Sequence, residues 1–457
     1  MTERPTRTVG IVVSAEDRAS EHIHEQLLAV ADWTTFRDDD RMPADGGGDV
    51  YRTDGFEMRT FEEWHLELDG VAAVFDDPDL VVFASRHSGE TGPLLTAHHT
   101  GNFGPAEYGG TDRDLARAAP NAHSRVLDAL AEHAPEDYEI GMECTHHGPT
   151  DIGVPSLFVE IGSGPEQWDD PDAAKAAARA ILDLRGTVPD APREDGSSSA
   201  RRHLVGFGGN HYAPRFERIV HETDWAVGHV AADWGLDELG DPLGNEDVLR
   251  AAFEESTAEY ALIDGEWPRV ERAIDELGYE TVGETWLRAV EAVPLAFAGR
   301  VEDRLASVDD GLRFGEPARG YDGPFEIVEV PGELLDEAQG IDREATREAV
   351  EKVALAFTTE QSATLVGDRA AVAEEGDRTA LVETLADVLR SDYDEVIVED
   401  EQVVARKEAF DPGLATEAGV PEGPKFGRLA NGQAVDVDGE TVEPEAVSRE
   451  RKETFPV

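Results

Sequence analysis

The first half of the chain alternates short, continuous apolar runs with segments in which apolar residues recur at helical spacing. The apolar runs are TVGIVVS (8–14), DLVVFAS (79–85), GPLLTAHH (92–99), YEIGMEC (138–144), PSLFVEIG (155–162), RHLVGFGG (202–209) and DWAVGHV (224–230). Helical patterns lie between these runs, at 16–30, 112–133, 169–186 and 214–222. Continuous apolar strands separated by amphipathic helices are typical of a sheet that is buried on both faces. The alternation therefore predicts an α/β fold with a mainly parallel sheet and helices on both faces.

The length of the chain indicates more than one structural unit, because 457 residues exceed what a single core usually holds. We expect a catalytic domain over residues 1–240, with a polar loop or linker at 187–200. An acidic, added α/β region is expected at 241–412, with either a specific or a purely stabilising role, and residues 413–457 form a distinct tail. Within the added region, helical patterns lie at 343–357 and 379–390, and strand patterns at 325–331 and 394–400.

The charge of the chain is strongly one-sided. It has 99 Asp and Glu against 40 Lys and Arg, a net charge of −59, and the acidic residues are spread along its whole length rather than gathered in a tail. We interpret this composition as adaptation to a cytoplasm of molar salt, where charge repulsion is screened within about 3 Å. The alternative is an acidic protein of a dilute cytoplasm that nucleic acid repels. In the preferred interpretation the charge indicates the solvent, not the partner.

The sequence contains no feature that predicts a disulfide or a membrane-spanning segment. Cys144 is the single cysteine, so no internal disulfide is expected. The sequence contains no run of about 18 apolar residues, and its N-terminus does not resemble a signal peptide. We therefore expect a soluble cytoplasmic protein without a membrane partner.

Histidines mark the part of the chain that carries chemistry, since all fourteen lie between His22 and His229. Several follow or end predicted strands, where Glu160 also lies. Ligands bind at the carboxyl ends of strands in open α/β sheets, so we expect one site at such an edge. The strand-end residues are His87, His98, His99, His146, His147, Glu160, His211 and His229.

Imidazole and carboxylate groups at one edge suit two kinds of chemistry. They bind divalent metals, with zinc favoured by mixed ligand sets, and they act as general acids and bases near neutral pH. Neighbours on a strand point in opposite directions, so at most one of His146 and His147 is expected to reach the cleft. Cys144 is a candidate ligand or nucleophile, although a lone cysteine on a strand more often packs in the core. The histidines expected at the surface or at helix caps are His22, His24, His65, His123 and His133.

Five separated blocks resemble the archaeal and plant-type D-aminoacyl-tRNA deacylases over roughly residues 5–240. They are SRHSGETGPLLTAHHTGNFG (85–104), ECTHHGP (143–149), PSLFVEIGS (155–163), GFGGNHYAPRF (206–216) and VGHV (227–230). The resemblance implies hydrolysis of the ester between a D-amino acid and the 3′ end of tRNA, with zinc as cofactor. It also implies a phosphorylase/peptidyl-tRNA-hydrolase-like α/β fold.

The resemblance carries functional roles to eight positions in the matching blocks, but it does not divide them between metal binding and catalysis. Our working assignment places Glu143, His146, His147 and His211 in catalysis, and His98, His99, Glu160 and His229 at the metal. The glycine turn of Gly208, Gly209 and Asn210 is expected to bind substrate, with its N–H groups stabilising an oxyanion. Activation of water by the terminal ribose hydroxyl of the tRNA stays an alternative to metal-assisted attack.

The tail segment PEGPKFGRLANGQ (421–433) is similar to a short segment of long-type tRNA 3′-end-processing nucleases. This similarity points to tRNA contact through Lys425 and Arg428. For the region 241–412, a structural or tRNA-orienting role and a purely stabilising role both stay open. Arg449, Arg451 and Lys452 are further candidates, and ordinary surface cations are the alternative for all five. We expect a monomer.

Two other classes of function stay open at this point. One is a zinc-dependent or nucleoside-phosphorylase-like enzyme with a small substrate, although the sequence has no glycine-rich phosphate loop that leads into a helix. The other is a non-catalytic tRNA-binding protein, which the strand-end histidines disfavour.

Overall fold

The computed structural model describes residues 7–192, 201–373 and 375–457. The chain divides into two compact units, residues 1–287 and 288–457. Residues 193–200 of the expected polar loop lie outside the described residues.

The first unit consists of two sheets with their helices. Its strands are β1 (Val9–Ser14), β2 (Thr34–Asp38), β3 (Gly48–Thr53), β4 (Phe56–Phe61), β5 (Leu80–Arg86), β6 (Leu94–His98), β7 (Glu139–Met142), β8 (Ser156–Gly162), β9 (Arg202–Gly208), β10 (Trp225–Ala231), β11 (Tyr260–Asp264) and β12 (Glu280–Thr281). Its helices are α1 (Arg18–Val30), α2 (Pro120–His133), α3 (Pro165–Trp168), α4 (Pro171–Leu182), α5 (Pro214–Glu222), α6 (Asp233–Leu239), α7 (Glu246–Ser256) and α8 (Pro268–Leu277), and α9 (Glu284–Ala289) spans the boundary.

The seven predicted strands are all present, as β1 and β5 to β10, and the helix predicted at 214–222 is α5. The helix predicted at 112–133 is shorter, because α2 begins at Pro120. Proline lacks a backbone N–H, so it suits the first turn of a helix and interrupts its interior. The α/β prediction for this half of the chain is confirmed.

The large sheet is mixed, with strand order β2-β3-β4-β1-β5-β8-β6-β7. Strand β5 runs parallel to β1 and β8, whereas β6 runs antiparallel to β8, with His98 opposite Phe158. The connection at 87–93 is shorter than a crossover between parallel strands requires, so β6 turns back. The carboxyl end of β6 therefore points the opposite way from those of β5 and β8, which departs from the parallel edge at which the site was expected.

The second sheet has strand order β10-β9-β11-β12, and all of its pairs are parallel. Strand β11 pairs with β9, with Tyr260 opposite Leu204. This pairing extends the first compact unit to residue 287, beyond the boundary expected at 240, because a strand cannot be separated from the sheet that it completes.

Helices cover only part of the large sheet. Helices α1, α2 and α4 pack against β1, β5, β6 and β8. A separate apolar cluster around Val12, Phe83 and Phe158 is instead completed by loops and by the 3-10 turn Val71–Val74. The prediction of helices on both faces therefore does not hold for this part of the sheet.

The second unit has antiparallel sheets. Its strands are β13 (Leu312–Phe314), β14 (Glu326–Glu329), β15 (Ala356–Glu360), β16 (Leu365–Val372), β17 (Glu395–Val398), β18 (Gln402–Phe410), β19 (Val435–Val437), β20 (Glu440–Val442) and β21 (Ser448–Pro456). Its helices are α10 (Leu295–Glu302), α11 (Gly332–Ile341), α12 (Arg343–Glu351), α13 (Glu375–Leu389), α14 (Pro412–Glu417) and α15 (Pro424–Ala430). The sheets are β13-β15-β16-β14, β17-β18-β21 and the hairpin β19-β20. The predicted helix 343–357 ends early, since residues 356–360 form β15.

The predicted tail is part of this second unit. Strand β21 pairs with β18 along its whole length, from Gln402 opposite Pro456 to Phe410 opposite Ser448. A boundary at residue 413 would divide this pair of strands.

Among the described residues, no helix is long and apolar enough to cross a membrane.

Candidate active site

Both sheets of the first unit contribute polar side chains to one buried centre. His98 ends β6 and Glu160 lies within β8 of the large sheet, while His211 follows β9 of the second sheet. The loop after β7 supplies Glu143 and the pair His146-His147. The centre is therefore built between sheets and does not lie along one strand edge.

Glu143 is the hub of this centre, with a side chain fully removed from solvent. Its Oε2 accepts a hydrogen bond from His211 Nε2 at 2.7 Å and lies 3.8 Å from His146 Nε2. Its Oε1 lies 3.2 Å from His87 Nδ1. A buried carboxylate is costly unless it is paired, and here histidines surround it.

These contacts set the charge states of Glu143 and His211. Burial alone would raise the pKa of Glu143, but the hydrogen bond from His211 and the nearby His87 imidazole hold it well below its usual range. Burial opposes charging of His211 as well, yet Cys144 and Glu143 raise its pKa to about 10. An ionised Glu143 beside a protonated His211 follows at neutral pH.

Three other imidazoles face one another. The ring centroids of His98, His146 and His147 are separated by 4.2, 4.4 and 4.8 Å. Each ring uses Nδ1 against a backbone oxygen, that of His99, Cys144 and Gly148 respectively, at 2.8 to 3.0 Å. An Nδ1–H donated to a carbonyl leaves the lone pair on Nε2, the tautomer of a metal-binding histidine.

Burial and mutual repulsion keep two of these rings neutral. Burial and the neighbouring His98 lower the pKa of His146 well below its ordinary value and that of His147 to about 3. Burial also opposes charging of His98, but Glu160, 3.6 Å from its Nε2, raises its pKa. That separation is too long for a hydrogen bond, and His98 Nε2 has no hydrogen-bond partner in the described part of the chain.

Both members of the His146-His147 pair reach the centre, contrary to the expectation for neighbours on a strand. Strand β7 ends at Met142, so the pair lies in a loop, and His147 has a left-handed φ of 47°. A non-glycine residue rarely adopts this conformation, which turns successive side chains to the same side here. Backbone bonds from Thr145 N–H to Val230 O and from Cys144 N–H to His211 O hold the loop on the second sheet.

The adjacent pair His98-His99 does separate as strand geometry requires. His99 donates its Nδ1–H to Gly228 O at 3.1 Å, and its ring lies 4.7 Å from that of His123. His229 uses Nδ1 with the Thr145 hydroxyl at 3.0 Å and Nε2 with Ala116 O at 2.8 Å. His229 therefore has no ring nitrogen free for a metal in this arrangement, and neither His99 nor His229 joins the three facing rings.

The glycine turn has a structural explanation. Gly208 and Gly209 have φ values of 91° and 81°, and a Cβ on Gly208 would lie 2.0 Å from Asp264 O. The Gly209 N–H already donates to Asp233 Oδ1 at 2.9 Å, and Asn210 Oδ1 accepts from the Tyr212 N–H. The expected oxyanion donor at Gly209 is thus occupied.

His87 and Cys144, which were candidates from the sequence without an assigned role, also take part in the centre. His87 contacts Glu143, and its Nε2 lies 3.2 Å from the Tyr212 hydroxyl. Its place directly after β5 was the available signal. Cys144 is buried as expected, but its sulfur also lies 3.5 Å from His211 Nδ1. His65 and His123, expected near the surface, are fully buried.

Several residues of the centre border an open cavity of about 310 Å³. His146, His147 and His211 form one side, and Tyr108 and Trp234 lie among the other lining residues. Among the described residues, three groups in the centre hold ligand atoms close enough for a metal ion: His98-His146-His147, Cys144-His146-His211 and His87-Glu143-Glu160.

The candidate tRNA contacts of the tail lie in the second unit. Lys425 Nζ donates to Asp436 O at 2.5 Å, whereas Arg428 is exposed. Arg449 pairs with Asp411 and Arg451 with Glu453. At least two of the five candidate cations therefore have carboxylate partners within the chain.

The fold and the centre together define an α/β enzyme whose buried histidines and carboxylates open into a cavity. The family model described as D-aminoacyl-tRNA deacylase matches residues 74–282, which include every residue of the centre. A crystal structure described as a conserved protein of unknown function is 31% identical, with a TM-score of 0.52 over 60% of this chain and 94% of that one.

Curated relatives match nearly the whole chain. Proteins named D-aminoacyl-tRNA deacylase from Natronomonas pharaonis and Haloarcula marismortui are 56% and 52% identical over 98% and 97% of this chain, and over 99% and 98% of their own lengths. One from Halobacterium salinarum is 47% identical over 96% of this chain and 93% of its own length. The chain belongs to the D-aminoacyl-tRNA deacylase family.

Proposed function

We propose that this protein hydrolyses the ester that joins a D-amino acid to the 3′ end of tRNA, releasing both. The observation that carries the proposal is the centre of His98, His146, His147, Glu143 and His211 beside an open cavity, in a chain of this family. Neutral imidazoles, an ionised carboxylate and a protonated histidine are groups that bind a metal, orient a general acid and donate a proton in ester hydrolysis.

We assign zinc to His98, His146 and His147. The donor set supports this choice, because ligand atoms of the three imidazoles lie within 4.8 Å of one another while each Nδ1 is held by a backbone oxygen. Three histidines with an open position are a common catalytic zinc site. Zinc, when bound, supplies a Lewis acid that makes water a nucleophile near neutral pH.

We assign proton transfer to His211. Glu143 holds the His211 ring in the orientation that this transfer needs. His211 holds a proton at Nε2 against Glu143 Oε2, and its side chain is about one third exposed toward solvent. In the reaction the charged imidazole of His211 is the general acid that protonates the leaving ribose oxygen, and its hydrogen bond to Glu143 orients the ring and stabilises its charge. His87 fixes the other oxygen of Glu143.

The broader setting belongs to the same proposal. We place the protein as a monomer in a high-salt cytoplasm, in keeping with its relatives from halophilic archaea. The first unit, with a phosphorylase/peptidyl-tRNA-hydrolase-like fold, is the catalytic one. The second unit orients the tRNA, with Lys425 and Arg428 as phosphate contacts.

Deacylation of D-Tyr-tRNA and L-Tyr-tRNA in about 3 M KCl tests this function. We expect cleavage of the D-substrate, little cleavage of the L-substrate, and loss of turnover after chelation that zinc restores. His146→Ala should lower kcat at least about 100-fold, because it removes one ligand of the centre. His133→Ala, at a histidine outside the centre, is the matched control.

Equal cleavage of both stereoisomers would contradict the proposed substrate. Undiminished turnover by metal-free protein would instead favour assistance by the ribose hydroxyl and remove zinc from the mechanism.

A further inference from the structure

Two exposed aromatic rings border the cavity beside the histidines. Tyr108 is 67% exposed and Trp234 is 43% exposed, and both line the same cavity as His146 and His147. Large apolar side chains with such exposure are few in the described part of the chain: Phe36, Met42, Tyr108, Trp234 and Ile397. That two of them meet at one cavity indicates a binding surface rather than scattered exposure.

The backbone under each ring is fixed although the ring is open to solvent. The Tyr108 carbonyl accepts the Gly148 N–H at 2.9 Å, which ties it to the loop of His146 and His147. Trp234 lies in α6, whose Leu236 and Leu239 are buried in the core of the second sheet. Both rings are therefore held beside the catalytic centre without being used in the core.

The charged residues of the cavity restrict which chemical group can bind against the two rings. Its lining includes Glu107 and Glu238, both exposed, and it includes no lysine or arginine side chain from the described residues. Glu107 adjoins Tyr108 in sequence and Glu238 lies one turn after Trp234 in α6, so phosphate is disfavoured beside the rings although His211 at the centre is protonated. A neutral, planar group suits aromatic faces. A volume of about 310 Å³ is at the lower end for a small-molecule site, enough for one nucleoside-sized group.

We propose that Tyr108 and Trp234 form a stacking platform for the terminal base of the tRNA 3′ end. This inference rests on the proposed function, because in an aminoacyl ester one ribose joins the reacting carbonyl to that base. The base must then lie next to the histidines, where the two rings are.

Stacking also provides affinity for tRNA that the net charge of −59 does not oppose. Affinity for nucleic acid through phosphate contacts falls as salt rises, while base–aromatic stacking needs no cation and is less sensitive to screening. A protein adapted to molar salt therefore gains more from a neutral base platform than from a cationic groove at its active site.

The test uses the full-length protein with Trp234→Ala, Tyr108→Ala and the conservative Trp234→Phe. Phe36→Ala is the matched control, because Phe36 is 49% exposed on β2 and lies outside the cavity lining. KM is measured for D-Tyr-tRNA and D-Ala-tRNA in 1 M and 3 M KCl, and affinity is measured for a short RNA that ends in CCA.

Each alanine variant should raise KM about 5- to 100-fold for both substrates, with a smaller change in kcat, and should weaken CCA binding by a similar factor. Trp234→Phe should recover most of the loss, and the ratio to wild type should be the same at both salt concentrations. Phe36→Ala should match wild type in all of these measurements.

A rise in KM for D-Tyr-tRNA alone would overturn the proposal and place the amino-acid side chain on the rings. Unchanged KM and CCA affinity in both alanine variants would overturn it as well. If wild-type protein cleaved neither ester, the proposed function would fail, but the CCA measurement would still decide whether the rings bind a base.

Discussion

At the residue scale, His229 shows how a buried imidazole is kept neutral by its partners. Its Nε2–H donates to Ala116 O, and its Nδ1 accepts the Thr145 hydroxyl, which in turn accepts the Val230 N–H. Protonation would place a second N–H against a hydroxyl donor in a site without water contact. Burial lowers the pKa of His229 to about 4.

This arrangement predicts acid sensitivity. The pKa is about 4 in the folded state and about 6.5 in the unfolded state, so the unfolded state binds the proton first as pH falls. The contribution of neutral His229 to the free energy of unfolding is full above about pH 6.5. Roughly 2 kcal/mol of that free energy is lost by pH 5. Urea unfolding of wild type and of His229→Gln, between pH 7.5 and 5 at fixed KCl, measures the difference.

His229→Gln should be less stable at pH 7.5 but should lose less stability on acidification than wild type. His133→Gln, outside this buried group, should keep the wild-type dependence. If His229→Gln kept that dependence as well, His229 would not be the neutral, buried group described here.

At the scale of the element, β21 has one buried side chain. It pairs with β18 throughout, yet Phe455 is its single buried residue. The Phe455 ring joins a core that includes Val403 and Leu389. The strand is thus held by backbone hydrogen bonds, by this apolar contact and by polar contacts of Arg449 with Asp411 and of Glu453 with Tyr393.

Phe455→Ala should lower the free energy of unfolding of the second unit by about 3 kcal/mol, because it removes a ring from a packed core. Lys452→Ala, on the exposed part of the same strand, should change it by less than about 0.5 kcal/mol. Denaturant unfolding at constant high KCl compares the two variants. Equal effects would mean that backbone pairing alone holds the strand.

At the scale of the whole molecule, the net charge of −59 opposes both folding and encounter with tRNA. Repulsion within the compact state destabilises it, and repulsion of a polyanion slows association. Raising salt from 0.01 M to 1 M shortens the reach of both from about 30 Å to about 3 Å. Local arginine contacts weaken at the same time, but few candidate contacts stand against 59 excess negative charges.

We therefore expect kcat/KM for D-Tyr-tRNA and fold stability to rise together from dilute buffer towards molar KCl. Circular dichroism at each salt concentration separates the two effects. A rate that falls steadily while the fold persists would reveal a concentrated cationic surface for tRNA.

The sequence by itself determined the fold class of the first unit, the part of the chain that carries chemistry and the family. Hydrophobic periodicity depends on local geometry, so β1, β5 to β10 and α5 could be predicted from short windows. The eight candidate positions came from motif resemblance. Six of them, all except His99 and His229, meet in the centre.

Only the tertiary structure decided how those positions divide. His98 and His99 are adjacent at the end of β6 but have different partners, while the loop conformation of His147 keeps it with His146. The reversal of β6, the extension to β11 and the pairing of β18 with β21 join distant segments. A short stretch of sequence does not show which strand will pair with which. Each pairing depends on which other strand edges still have unpaired backbone N–H and C=O groups.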